Sequence, residues 1–294
     1  MAIERYRLGC PFWSFEPWNG SLYTSDARPS DRLEQYARVF NTVEGNTTFY
    51  SVPNGATAQR WRDAVPAHFR FCFKLPRDLT HDCMLVGVDR ELVAFLRALE
   101  PLRDVLGPLL VQLPPAFGPG QLRDLDRFLA TLPGEIEWAV EVRHRAFFDD
   151  ESLAGLCDEV IGAHGGDRVV MDTRALRSGD PDHPEVRAAL HKKPDLPVRP
   201  NAIGPRPFVR FVGHPDPTTN VPYLDDWAAR VASWLDEGHE PYFFVHTASN
   251  LQTPDQARAL HARLARAAVG ALPAFPGERG ERRLTVGGAR RPVD

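Results

Sequence analysis

Thr42-Val43-Glu44-Gly45-Asn46-Thr47-Thr48-Phe49-Tyr50 opens as a β-branched run and turns polar at Glu44. β-Branched side chains are stiff at χ1 and suit extended backbone. The run therefore reads as a buried strand whose end opens into a polar pocket, with Phe49 and Tyr50 as an aromatic wall. Gly45, between acid and amide, lets the backbone bend without a Cβ penalty. Pro53 blocks an immediate helix.

The rest of the chain repeats that plan. Strand-like segments fall at 6–9, 42–44, 70–74, 109–113, 138–142, 169–172, 207–212 and 242–246. Leu109-Leu110-Val111-Gln112-Leu113 is continuously apolar around one amide, as in a parallel strand covered on both faces. Between the strands lie helical patterns. One, capped by Asp31, carries Leu33, Tyr36, Ala37 and Phe40, and others run over 57–64, 89–99, 119–132, 150–163, 223–236 and 254–268. Alternating strands and helices imply a parallel sheet, and eight units point to a single TIM-like (β/α)8 barrel. An open doubly wound sheet is the runner-up, but its G-x-G-x-x-G is missing after the first strand. The rhythm breaks at 173–206, a long loop after strand six with a short helix expected over 185–191 and a basic patch at Lys192-Lys193, read as a solvated loop. The expected organisation is one barrel domain over 1–270 and a disordered tail over 271–294, Gly- and Arg-rich from Gly277.

The composition narrows the function. At 294 residues the chain suits one barrel, and 43% hydrophobic content allows a full core. A formal charge of -4 argues against nucleic-acid binding by bulk charge. Cys10, Cys72, Cys83 and Cys157 are scattered with no C-x-x-C pair, which argues against a zinc ribbon or disulfide framework. No apolar run is long enough for a membrane span or a signal peptide, so a cytoplasmic protein is expected.

In a barrel the chemistry gathers at the C-terminal strand ends. There the sequence places Trp13, Glu44, Asn46, Tyr50, Lys74, Gln112, Glu141, Arg143, His144, Asp172, Arg210 and His246. Apolar strands that repeatedly end in ionisable groups mark a wet polar pocket, because burying such groups unpaired is costly. Mixed signs let the charges compensate and offer Arg and Lys to an anion. Glu44, Glu141 and His144 are the candidate acid/base groups; Trp13, Asn46, Tyr50, Lys74, Gln112, Arg143, Asp172, Arg210 and His246 are candidate ligand contacts. The bland alternative is a structural ion-pair network. No local metal motif such as H-E-x-x-H is present, no metal site is assigned, and no cofactor is identified.

Several stretches together resemble the YecE-like family of barrel proteins. They are Gly9-Cys10-Pro11-Phe12-Trp13-Ser14, the segment Tyr36 through Tyr50, Phe69-Arg70-Phe71-Cys72-Phe73-Lys74-Leu75-Pro76, Gln112-Leu113-Pro114, Val140-Glu141-Val142-Arg143-His144, Val209-Arg210-Phe211-Val212-Gly213 and Val245-His246-Thr247. The resemblance implies a TIM-like barrel and carries over no settled activity. It also implies an Asn-Asn pair after the last strand, where this chain has His246-Thr247-Ala248-Ser249-Asn250. The favoured expectation is an enzyme (hydrolase, lyase or isomerase) doing acid/base chemistry on a small anionic or phosphorylated ligand. The competing readings are a nucleic-acid-binding or -processing protein, with bases stacked on aromatic loops, and a non-catalytic ligand sensor or scaffold.

Overall fold

The computed structural model describes residues 6–264 and 271–278. Its elements run β1 (Arg7–Gly9), α1 (Arg32–Ala37), β2 (Thr42–Gly45), α2 (Gly55–Asp63), β3 (Arg70–Phe73), α3 (Asp89–Ala98), β4 (Leu109–Gln112), α4 (Leu122–Ala130) and β5 (Trp138–Glu141). They continue α5 (Ala146–Asp149), α6 (Glu151–Ala163), β6 (Asp167–Asp172), α7 (Arg174–Ser178), α8 (Pro184–Leu190), β7 (Phe208–Gly213), α9 (Pro217–Asp236), β8 (Tyr242–Thr247) and α10 (Thr253–Leu264). All strand pairs are parallel.

The strands form a curled six-stranded sheet, ordered β1-β8-β7-β6-β5-β4, and a separate pair, β2-β3. The closed eight-stranded ladder expected of a barrel is not seen among the described residues; the strands fall into these two ladders. Where they meet the strands are only three or four residues long, and the ladder shrinks to isolated contacts. On one side Glu44 N–H donates to Cys10 C=O; on the other Gly107 N–H donates to Phe71 C=O and Leu75 N–H to Leu110 C=O. At the first seam a Cβ on Gly9 would lie 2.2 Å from the Thr42 carbonyl oxygen, so only glycine lets these backbones approach.

Helix starts follow side-chain chemistry. Asn54 caps α2 by accepting from Thr57 N–H, and Asp150 caps α6 by accepting from Ser152 and Leu153 N–H. Asp31, expected to cap α1, makes no such bond; its carboxylate accepts from Arg28 N–H. Helix α9 starts at Pro217, capped by Asp216, so Pro222 lies inside a helix expected to begin after it. The 173–206 segment holds two helices, and α8 packs Val186 and Ala189 against Met171 and Val212 at the ends of β6 and β7.

The boundary expected at residue 270 falls before more packed structure. Phe275 is buried beside Phe40, and Arg258 lies 3.3 Å over its ring while pairing with Glu278. The remainder of the expected tail, 279–294, and the end of the expected last helix lie outside the described residues. Among the described residues no helix is long and apolar enough to cross a membrane.

Side chains alternate along each strand. Cys72, Leu110, Ala139, Val169, Phe208 and Phe244 point inward and share one apolar cluster. Their neighbours Phe71, Phe73, Val111, Val140, Val209, Phe211, Phe243 and Val245 pack outward into the main core under the helices. That phase decides what stands one repeat further on.

Candidate functional site

Two residues beyond the inner apolar layer, the same alternation brings in Lys74, Gln112, Glu141, Arg210 and His246, with Glu44 supplied by β2. Arg210 is the hub. Its Nε and one terminal nitrogen bind the Glu44 carboxylate at 2.8 and 2.7 Å, and the other terminal nitrogen binds Glu141 at 2.5 Å. Glu141 also accepts from Arg143 Nε at 2.6 Å and from Gln112 Nε2 at 2.9 Å. The Gln112 amide oxygen accepts from Lys74 Nζ at 2.6 Å, and Asn46 Nδ2 donates to Glu44 at 2.6 Å. Glu44, Glu141 and Arg210 are 0%, 1% and 4% exposed.

Burial alone would push both carboxyl groups toward neutrality, but the guanidiniums more than offset it. Arg210 above all holds Glu44 well below the usual carboxylate range; Arg143 and Arg210 bring Glu141 down to about 2. Burial pushes His246 down to about 4, so at neutral pH it is an uncharged ring. Its Nε2 lies 3.5 Å from Glu44 Oε2 and, among the described residues, has no hydrogen-bond partner. Burial, aided by Arg210, lowers Lys74 to about 7.

Eight of the twelve expected residues thus share one network: Glu44, Asn46, Lys74, Gln112, Glu141, Arg143, Arg210 and His246. Four do not. Met171 takes the inward place on β6, which turns Asp172 outward to Arg174 and to the Trp227 indole N–H at 2.7 Å. His144 follows Arg143 and turns to the other side, where its Nδ1 accepts from Ala146 N–H and its ring packs near Phe147 and Gly118. Trp13 is buried in the aromatic core, edge-on to Trp61 and Phe71 at 5.1 and 5.9 Å. Tyr50 is 81% exposed.

Phe49 takes the place given to Tyr50. Asn46–Phe49 is a 3-10 turn, in which residues three apart are eclipsed, so Phe49 shares a side with Asn46. Lys74 Nζ sits 3.4 Å above the Phe49 ring. Gly45 has an ordinary negative φ of -87° and does not serve as a flexible bend; a Cβ there would meet the Phe73 ring at 2.3 Å.

Two more residues were not expected. His81 lies on a π-helical turn, Asp78–Asp82, with its ring edge-on to Phe49 at 4.8 Å. Burial, then Lys74 and Arg143, lowers it to about 4. Lys193 leaves the 173–206 segment and is part-buried; burial and Arg210 lower it to about 8, and it feels Glu44, Glu141 and Arg143. The Lys192-Lys193 patch, read as a solvated loop, thus divides: Lys192 is exposed, and Lys193 is half-buried within electrostatic reach of the cluster. A signal was available: only three of the 35 Lys and Arg residues are lysines, and Lys193 is one.

The network carries two ionised carboxylates against Arg210, Arg143 and a partly protonated Lys74, with Lys193 within electrostatic reach, an excess of positive charge suited to an anion. Among the described residues no group of three or more His, Cys, Asp or Glu is placed to hold a metal ion. A separate cleft of about 1010 Å³ opens at the other end of the strands, beside Arg7, Asn41 and His68; it lies away from this network.

Residues 7–279 match the family model described as protein of unknown function DUF72. The chain is 36% identical over 271 residues to the UPF0759 protein YecE of Escherichia coli K12, covering 92% of this chain and 97% of that protein. It also superposes on the crystal structure of a DUF72 family protein from Thermotoga maritima MSB8, with a TM-score of 0.68 and 24% identity over 88% of this chain and 99% of that one. A DUF72 family protein from Enterococcus faecalis V583 gives 0.65 and 18%, covering 92% and 98%.

Proposed function

The chain belongs to the DUF72 family, and from its strand-end geometry we propose an enzyme that does acid/base chemistry on a small anionic ligand. In this reading the two ladders close as one eight-stranded barrel, a single domain that includes residues 271–278. The observation that carries the proposal is the buried layer at the strand ends, where Glu44 and Glu141 are both locked to Arg210 while Lys74, among the described residues, donates to a neutral amide. Carboxylates held well below their usual range are weak bases at neutral pH, so Glu44 and Glu141 serve as anchors. Lys74, near 7, is matched to proton transfer. Arg143 and Lys193 bind the anion.

The nucleic-acid reading has less support, because its aromatic loop residue Trp13 is buried in the core rather than open to a base. Thermal melting with inorganic phosphate tests the proposal. At about a hundred times its dissociation constant, a bound ligand adds roughly 2.7 kcal/mol, a clear upward shift in melting temperature. Phosphate should raise the melting temperature above a matched-ionic-strength control, and Arg143→Met should abolish the shift. A wild-type protein blind to phosphate and to small carboxylates would end this reading.

A further inference from the structure

We propose that Lys74 condenses through Nζ with the carbonyl of a small anionic oxo acid or aldehyde, forming an iminium at the strand ends. The inference rests on the anion-site reading above and adds the class of substrate.

Lysine usage supports it. The chain meets nearly all its need for positive charge with arginine: the surface ion pairs Arg38–Glu34, Arg62–Asp104 and Arg199–Glu151 all use guanidiniums. Of its three lysines, Lys74 and Lys193 are both at this cluster, and Lys192 is exposed. A guanidinium does not lose its proton in proteins and is no nucleophile; an amine does both jobs once it is desolvated or set beside another cation.

The surroundings of Lys74 fit that use. Its Nζ is held by Gln112 Oε1, a neutral acceptor, and by the face of Phe49, while Arg210 and Arg143 hold the carboxylates. A lysine tied to a carboxylate would be held as ammonium; this one is not. The value near 7 leaves a large free-amine fraction at neutral pH.

The step balances. The Nζ lone pair attacks the carbonyl carbon, a C–N bond forms and the C=O π pair moves to oxygen. That oxygen takes one proton from the amine and one from solvent, and leaves as water. The iminium that remains carries one N–H and a positive charge. It draws electrons from the adjacent carbon, which is where acid/base chemistry would act.

Reductive trapping tests this. Full-length protein is treated at pH 7 with glyoxylate and cyanoborohydride, then digested, and carboxymethyl-lysine is located by mass spectrometry. Lys74 should be labelled at least about tenfold faster than exposed Lys192, since one unit of pKa is a factor of ten in free amine. Phosphate should protect Lys74. Lys74→Arg should lose the adduct. Labelling of Lys192 equal to or above Lys74, or none at Lys74, overturns the imine. A phosphate shift without a Lys74 adduct rejects the imine and leaves the anion site standing, whereas loss of both rejects both. Mapping on the wild-type chain decides even if Lys74→Arg fails to fold.

Discussion

Cys72, Leu110, Ala139 and Phe208 stand two residues before Lys74, Gln112, Glu141 and Arg210 on the same four strands, and the two sets share almost no chemistry. A strand rises about 3.3 Å per residue, so roughly 7 Å separates the layers. The lower layer is held by removal of apolar surface from water and by close packing. The upper layer pays desolvation for charges that pair with one another, an exchange that often costs net stability. A barrel-like interior could have continued in apolar residues. That it changes character at the strand ends, on strand after strand, is the contrast on which the proposed site rests.

Three variants would break or sharpen that comparison. Arg210→Met should have the largest effect, because it leaves Glu44 and Glu141 buried without their shared cation. Urea unfolding at pH 7 should show a loss of about 3–5 kcal/mol; a loss below about 1 kcal/mol would mean the upper layer is well hydrated. Leu110→Ala in the lower layer should cost about 2–5 kcal/mol through lost transfer energy and a cavity, yet leave the phosphate melting shift in place. Disappearance of that shift would show that the two layers do not act separately.

The smallest effect concerns His246. Its folded pKa, about 4, lies below the ordinary 6.5, so between those values the unfolded chain takes up a proton that the folded one refuses. Stability therefore falls as pH drops through this window. His81 acts in the same direction, and Glu44 and Glu141 add their own loss below 4.5. His246→Gln should lessen the drop between pH 7 and 5 by roughly 1–2 kcal/mol, read from urea midpoints. An unchanged slope would mean that His246 already ionises in the folded protein.

Strand and helix order was legible from the residues, because apolar runs and their breaks follow directly from burial. Phase was not. Val169-Val170-Met171-Asp172 offers two ways to face inward, and nothing local tells Met171 from Asp172. The same ambiguity hid the outward turn of His144 after Arg143. Tyr50 was preferred to Phe49 as a ligand contact because the 3-10 turn that selects Phe49 is a backbone fact. The ladder break beside β2 and β3 depends on strand lengths of three or four residues, finer than periodicity resolves. Residue types at the strand ends were easier, since a buried acid on one strand needs a base on another.

Lys193 lies within electrostatic reach of the cluster from the 173–206 segment, whereas Glu44, Gln112, Glu141 and Arg210 come from strands. The segment is fastened by apolar contacts of α8 with Met171 and Val212, by the Arg199–Glu151 ion pair, and by Gly204 and Arg206 N–H donating to Asp167. None of these fastenings involves the Glu44–Arg210–Glu141 network. Changes to residues 173–206 can therefore reshape one wall while the buried charges stay in balance, so selectivity and scaffold are free to evolve at different rates.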